Sequence, residues 1–141
     1  MIQNWTQHLK NAGIATLNEL QTETLAAFEN NNHLAIYAPT GSGKTISFLL
    51  PILEVLQNPK NKAIIIAPTR ELALQIDTVW KSLKTTISST VCYGGHAVKI
   101  EVNNLLANPS LIIGTPGRLA DHMRRGNMDL RHFNALVMDE F

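Results

Sequence analysis

"LAIYAPTGSGKTISFLL", residues 34–50, is the stretch on which the reading of the fold turns. Its first five residues are apolar without alternating, the pattern of a strand covered on both faces. A turn rich in small residues follows. From residue 44 to 57 the chain is apolar nearly all round, which predicts a buried helix. Pro51 lies inside it; lacking an amide hydrogen and crowding the carbonyl four residues back, it is expected to bend or interrupt the ladder near residue 47. Strand, tight turn and helix in this order bring free amide hydrogens and the positive end of a helix dipole to one point, which suits a phosphate.

Working outward, further apolar runs stand at 62–67 ("KAIIIA"), 110–113 ("SLII") and 135–138 ("ALVM"), with a weaker one, "STVCY", at 89–93. Helical patterns lie between them. Leu72, Ile76, Val79, Trp80 and Leu83 recur at the spacing of one helix face, and Lys81 and Lys84 fall outside that stripe. Two earlier helices, near 2–12 and 18–30, precede the first strand, and "ENNNH" makes a polar loop. Strand alternating with helix predicts an α/β fold: a mainly parallel, doubly wound sheet with helices on both faces. "IYAPTG", "IIAPTR" and "IIGTPG" each end an apolar strand on small residues and then enter a helix. Right-handed crossovers would line up these strand ends along one carboxyl edge.

Composition narrows the class without naming a function. At 141 residues, 45% hydrophobic and 16% charged, the chain has the make-up of one globular domain. A net charge of +1 gives no global basic field, so any polyanion site must be local. The single cysteine, Cys92, excludes an internal disulfide and reads as a core thiol. The five histidines, at 8, 33, 96, 122 and 132, show no metal spacing and read as solvated or locally bonded. Trp5, Trp80, Tyr37 and Tyr93 read as packing residues. The longest mainly apolar run, 46–56, is far short of the about 20 residues a spanning helix needs, and the amino terminus lacks a signal-peptide pattern. The expectation is a cytoplasmic protein with no membrane partner.

The segment "APTGSGKT" at 38–45 is a Walker A loop, with Ala38 where the strict pattern has glycine, followed by Pro39, Thr40, Gly41, Ser42, Gly43, Lys44 and Thr45. Gly41 and Gly43 let the backbone wrap its amides around a β-phosphate. Lys44 would reach the β and γ oxygens, and the Thr45 hydroxyl would ligate Mg²⁺. "ALVMDE" at 135–140 resembles a Walker B strand. Asp139 then holds Mg²⁺, and Glu140 is the candidate base that polarises an attacking water.

Five segments together carry a more specific resemblance: "APTGSGKT", "PTRELA" at 68–73, "GG" at 94–95, "TPGR" at 115–118 and "VMDE" at 137–140. In this order and approximate spacing the chain resembles the DEAD-box RNA helicases over almost its whole length. Another P-loop NTPase, such as a transporter ATPase or small-molecule kinase, would leave "PTRELA" and "TPGR" unexplained. The resemblance implies a RecA-like P-loop domain that binds ATP and Mg²⁺. It further implies that Thr69, Arg70, Gly94, Gly95, Thr115 and Arg118 hold the sugar-phosphate backbone of single-stranded RNA; helix amino termini and two Arg forks suit that task. Glu71 is assigned to internal hydrogen bonding.

Residues 1–30 would form a helical segment leading into the domain, in which "GIATLNELQ" at 13–21 resembles the family's adenine-reading element. Gln21 would pair its amide with the adenine edge, a match GTP cannot offer. Ile14 and Leu17 stand where an aromatic and a proline are usual, and Phe141 stands where the family's name motif has alanine. Residues 31–141 would be the first RecA-like domain, incomplete, with a second RecA-like domain supplied by the parent protein. The implied activity of that parent is RNA-stimulated ATP hydrolysis coupled to local unwinding of duplex RNA, the fragment alone being nearly inactive. The alternative is a catalytically weak, nucleotide-gated RNA-binding scaffold.

Overall fold

The computed structural model describes residues 5–140. Phe141 and the first residues of the predicted 2–12 helix lie outside them. The chain divides into two compact units, Met1–Glu54 with Val79–Thr85, and Val55–Thr78 with Thr86–Phe141.

The first unit is helical among its described residues. It holds α1 (Trp5–Asn11), α2 (Glu19–Asn30) and most of α3 (Lys44–Val55), together with the last turn of α4 (Arg70–Ser82). The helix α2 starts where its sequence dictates. Asn18 accepts from the Gln21 amide through its side chain, and the Gln21 side chain accepts from the Asn18 amide, a reciprocal capping box. The helix α3 is buried from Ile46 to Leu53, as its all-round apolar sequence requires, and it continues through Pro51 without interruption. Trp5 and Trp80 are buried.

The predicted strand at 34–38 is absent: the segment has no strand assignment, and Tyr37 is 87% exposed instead of packed. The physical reason is partnership. A nonalternating apolar run states that a strand would tolerate burial, yet its amides need a neighbouring edge, and the described residues of this unit are helices and loops.

The second unit contains a parallel four-stranded sheet flanked by helices. Strands β1 (Ala63–Ile66), β2 (Ser89–Cys92), β3 (Leu111–Gly114) and β4 (Ala135–Met138) lie in the order β2-β3-β1-β4. Ile64, Ile112, Cys92, Leu105 and Leu119 form one buried apolar cluster, with Leu105 contributed by α5 (Val98–Leu106) and Leu119 by α6 (Pro116–Arg124). β1 and β3 are buried as their Ile-rich sequences predict. At the sheet edge, β4 is not, with Leu136 and Met138 exposed. The register aligns Cys92, Gly114, Ile66 and Met138 in one row, so all four strands end together.

Candidate functional site

In the helical unit, the Walker A segment forms the turn that delivers the chain into α3. The Ser42 amide donates to the Pro39 carbonyl at 3.3 Å, and Gly41 and Gly43 take φ of +80° and +83°. A side chain is strained at both values. The two glycines differ in surroundings. A Cβ on Gly41 would meet nothing within 4 Å, whereas one on Gly43 would lie 2.6 Å from Gln21 Nε2 and 2.9 Å from Asn18 Nδ2.

Those close neighbours are the start of α2 gripping the loop. Asn18 Nδ2 donates to the Ser42 carbonyl at 2.8 Å, and Gln21 Nε2 donates to the Gly43 carbonyl at 3.3 Å. Gln21, 5% exposed, thereby ties the cap of α2 to the phosphate loop. Each of its amide atoms keeps one further hydrogen-bonding position.

The loop fits a nucleotide phosphate on three grounds. The space above Gly41 is open, the amino terminus of the twelve-residue α3 opens at Lys44, and the buried Ser42 Oγ lacks a hydrogen-bond partner among the described residues. Lys44 and Thr45 stand on the first turn of that helix.

In the sheet unit, the residues after the four aligned strand ends make up the second candidate surface. The amides of Ala67, Thr115 and Asp139 donate to the carbonyls of Gly114, Cys92 and Ile66, so the three connections leave the sheet side by side. Beyond β1, Thr69 caps α4 by accepting from the Leu72 amide at 3.2 Å. Arg70 is 53% exposed, and its guanidinium lies 3.6 Å from Glu71. Glu71 is itself largely exposed, so its expected internal role is replaced by this surface ion pair.

Beyond β2, Tyr93–His96 forms a turn with Gly95 at φ +88° and the Tyr93 and His96 rings stacked 4.8 Å apart. A Cβ on Gly95 would sit 3.2 Å from Arg70 Nη1, which brings "PTR" and "GG" together. Beyond β3, Thr115 precedes Pro116 at the start of α6, and Arg118 is 14% exposed. Its Nη1 donates to the His96 carbonyl and to Glu101 Oε1, both at 3.0 Å. Beyond β4, Asp139 is buried, and Glu140 is exposed with φ of +54°.

The reading from sequence missed Glu101. It is fully buried on α5, and its carboxylate accepts four hydrogen bonds, from the Tyr93 amide, His96 Nδ1, Arg118 Nη1 and His122 Nε2. Burial alone would push its carboxyl up, but the bonds from His122, Tyr93, His96 and Arg118 outweigh that and hold it below the usual range. Asn127 Nδ2 faces His122 Nδ1 at 3.0 Å, which leaves the His122 hydrogen on Nε2, pointed at Glu101.

Cys92, Glu101 and His122 bring their potential ligand atoms within 4.8 Å of one another. Burial, reinforced by the charge of Glu101 against a smaller opposing effect of Arg118, pushes the Cys92 thiol up to about 12. The sulfur therefore keeps its proton and the carboxylate oxygens already have donors, an arrangement of internal hydrogen bonds. One signal was visible in sequence: Arg118 and His122, four apart, share a helix face.

The family model described as DEAD/DEAH box helicase matches residues 18–141. The chain is 34% identical over 140 residues to the human ATP-dependent RNA helicase DDX50, with 94% of this chain and 19% of that protein covered. It is 36% identical over 138 residues to the ATP-dependent RNA helicase DeaD of Escherichia coli K12, covering 94% of this chain and 22% of DeaD. Among solved structures, a hypothetical ATP-dependent RNA helicase from Sulfolobus tokodaii superposes with a TM-score of 0.84 at 29% identity, over 98% of this chain and 41% of that one. This chain belongs to the DEAD/DEAH box helicase family, and its sheet and helices match the RecA-like domain of such structures. It spans about a fifth of the length of these two curated relatives. No helix among the described residues is long and apolar enough to cross a membrane.

Proposed function

We propose that this chain is the ATP- and RNA-binding first RecA-like domain of a DEAD-box RNA helicase. In the longer protein, a second RecA-like domain completes a machine that couples ATP hydrolysis to local unwinding or remodelling of RNA. The observation that carries the reading is the aligned row of strand ends, from which "PTR", "GG", "TPGR" and "DE" leave one edge of the sheet with Arg70 beside Gly95.

In this reading, the segment Ala38–Gly43, through its backbone amides other than at Pro39, which has none, and the Lys44 ammonium hold the nucleotide phosphates. Gln21 directs its remaining donor and acceptor to adenine. Thr45 and Asp139 are the residues that would hold Mg²⁺, which supplies charge neutralisation at the phosphates when bound. Glu140 orients the attacking water. Thr69, Arg70, Gly94, Gly95, Thr115 and Arg118 contact the RNA backbone rather than its bases, which explains how a nearly neutral chain binds a polyanion.

Phosphoryl transfer is dominated by positioning and electrostatics, and an arginine finger contributes about 10³ to 10⁵ in rate. With catalytic arginines placed on the second domain, this chain alone should bind ATP and release phosphate barely, with or without RNA. Steady-state phosphate release at saturating ATP and RNA tests this, comparing the chain, its Lys44→Ala variant and a two-domain parent. Turnover by the chain close to the parent's, abolished by Lys44→Ala, would place the whole catalytic machinery here.

A further inference from the structure

A carboxylate without solvent contact is tolerated only when its charge is paired and its lone pairs are filled. Glu101 meets that requirement in a particular way: its two oxygens serve two different elements. Oε2 accepts from the Tyr93 amide at 2.9 Å and His96 Nδ1 at 2.8 Å, both on the turn that contains Gly94 and Gly95. Oε1 accepts from Arg118 Nη1 at 3.0 Å and His122 Nε2 at 2.8 Å, both on α6. Arg118 Nη1 closes the ring by donating to the His96 carbonyl. Nη1 is thus committed to the protein, and the donors on Nε and Nη2 are oriented by that commitment.

We propose that Glu101 is the positioning residue of the RNA surface: it locks the Gly94–Gly95 turn and the Arg118 guanidinium into one rigid unit, without touching RNA itself. This rests on the reading that Gly94, Gly95 and Arg118 grip the backbone. It makes RNA affinity depend on a buried acid that a simple charge argument would count as harmful. Removing a negative charge near a phosphate-binding face should strengthen RNA binding if charge alone decides. Positioning requires the opposite sign.

Glu101→Gln separates the two. The variant keeps the shape, but one carboxylate oxygen becomes an amino group that must face either Arg118 and His122 or the Tyr93 amide and His96, all placed as donors. The assay is fluorescence anisotropy of a labelled oligouridylate titrated with the full chain at several salt concentrations, with circular dichroism confirming the fold. The expected result is about tenfold weaker binding, the scale of one lost charge-assisted hydrogen bond, and a salt slope lower by roughly 0.7, one phosphate contact on a single strand. In an Arg118→Ala background, Glu101→Gln should cost clearly less than in the unaltered chain, because the share of its effect that acts through Arg118 is already lost while the share that acts through the Gly94–Gly95 turn remains.

Should Glu101→Gln fail to fold, Glu101→Asp decides. It retains the charge but withdraws both oxygens by one carbon, and at least threefold weaker binding is expected. Tighter or unchanged binding by the folded variant, or losses that simply add to those of Arg118→Ala, overturns the proposal. Absence of RNA binding by the unaltered chain would instead overturn the functional reading on which it rests.

Discussion

Replacing Gly41 and Gly43 separately by alanine distinguishes two reasons for a glycine in the phosphate loop. Both positions hold a left-handed φ, +80° and +83°, so either alanine incurs strain of about 1 to 2 kcal/mol. At Gly41 nothing else is disturbed, since the new methyl meets open space. At Gly43 the methyl would lie 2.6 Å from Gln21 Nε2 and 2.9 Å from Asn18 Nδ2, and both side chains must withdraw. With them go the hydrogen bonds to the Gly43 and Ser42 carbonyls, about 0.5 to 1.5 kcal/mol each. Gly43→Ala should therefore destabilise by about 2 to 5 kcal/mol, exceeding Gly41→Ala by about 1 to 3 kcal/mol. Urea unfolding without nucleotide measures the difference, read at unchanged dependence on denaturant. In a Gln21→Ala background the excess at Gly43 should shrink, because the nearer obstacle has been removed. Equal losses at the two glycines would refute the argument that the start of α2 grips the loop.

Two further outcomes follow from the sheet unit. The Glu101 carboxyl is held below its usual range in the folded chain, while an unfolded glutamate titrates at about 4.3. Its contribution to stability is then full above that value and is lost as pH falls through the lowered folded value. The stability gap between the wild type and Glu101→Gln should narrow as pH falls below about 4.3 in acid titrations followed by circular dichroism; a gap that widens across that acid range would reverse the sign. Arg70→Ala should weaken binding of all single-stranded homopolymers alike and lower the salt slope by roughly 0.7; a change of base preference at constant slope would place Arg70 against a base.

Much of this was legible from residue types. The Ile runs of β1 and β3 became the centre of the sheet. The stripe on α4 buried Ile76 and Trp80 while leaving Lys81 and Lys84 outside. What escaped depended on partners. Residues 34–38 have a strand's composition, but apolar periodicity reports only which side chains prefer burial, never which edge will accept the amides. Glu101 escaped for a related reason. Its four donors come from residues 93, 96, 118 and 122, and no local pattern announces that a lone glutamate among apolar neighbours will be where they meet. Arg118 was read as a free fork, and its commitment to Glu101 and His96 became visible only when the turn after β2 was placed beside α6.

The proposed adenine-reading role of Gln21 is the point most directly open to test. Isothermal titration of ATP and of GTP into the chain with Mg²⁺ measures whether Gln21, already bonded to Asn18 and the Gly43 carbonyl, reads the base with its remaining donor and acceptor. An amide left unpaired by guanine costs about 1 to 3 kcal/mol, so ATP should bind roughly 5- to 150-fold more tightly, with the preference lost in Gln21→Ala and binding abolished in Lys44→Ala. Equal affinities for the two nucleotides, or ATP binding that survives Lys44→Ala unchanged, would contradict it.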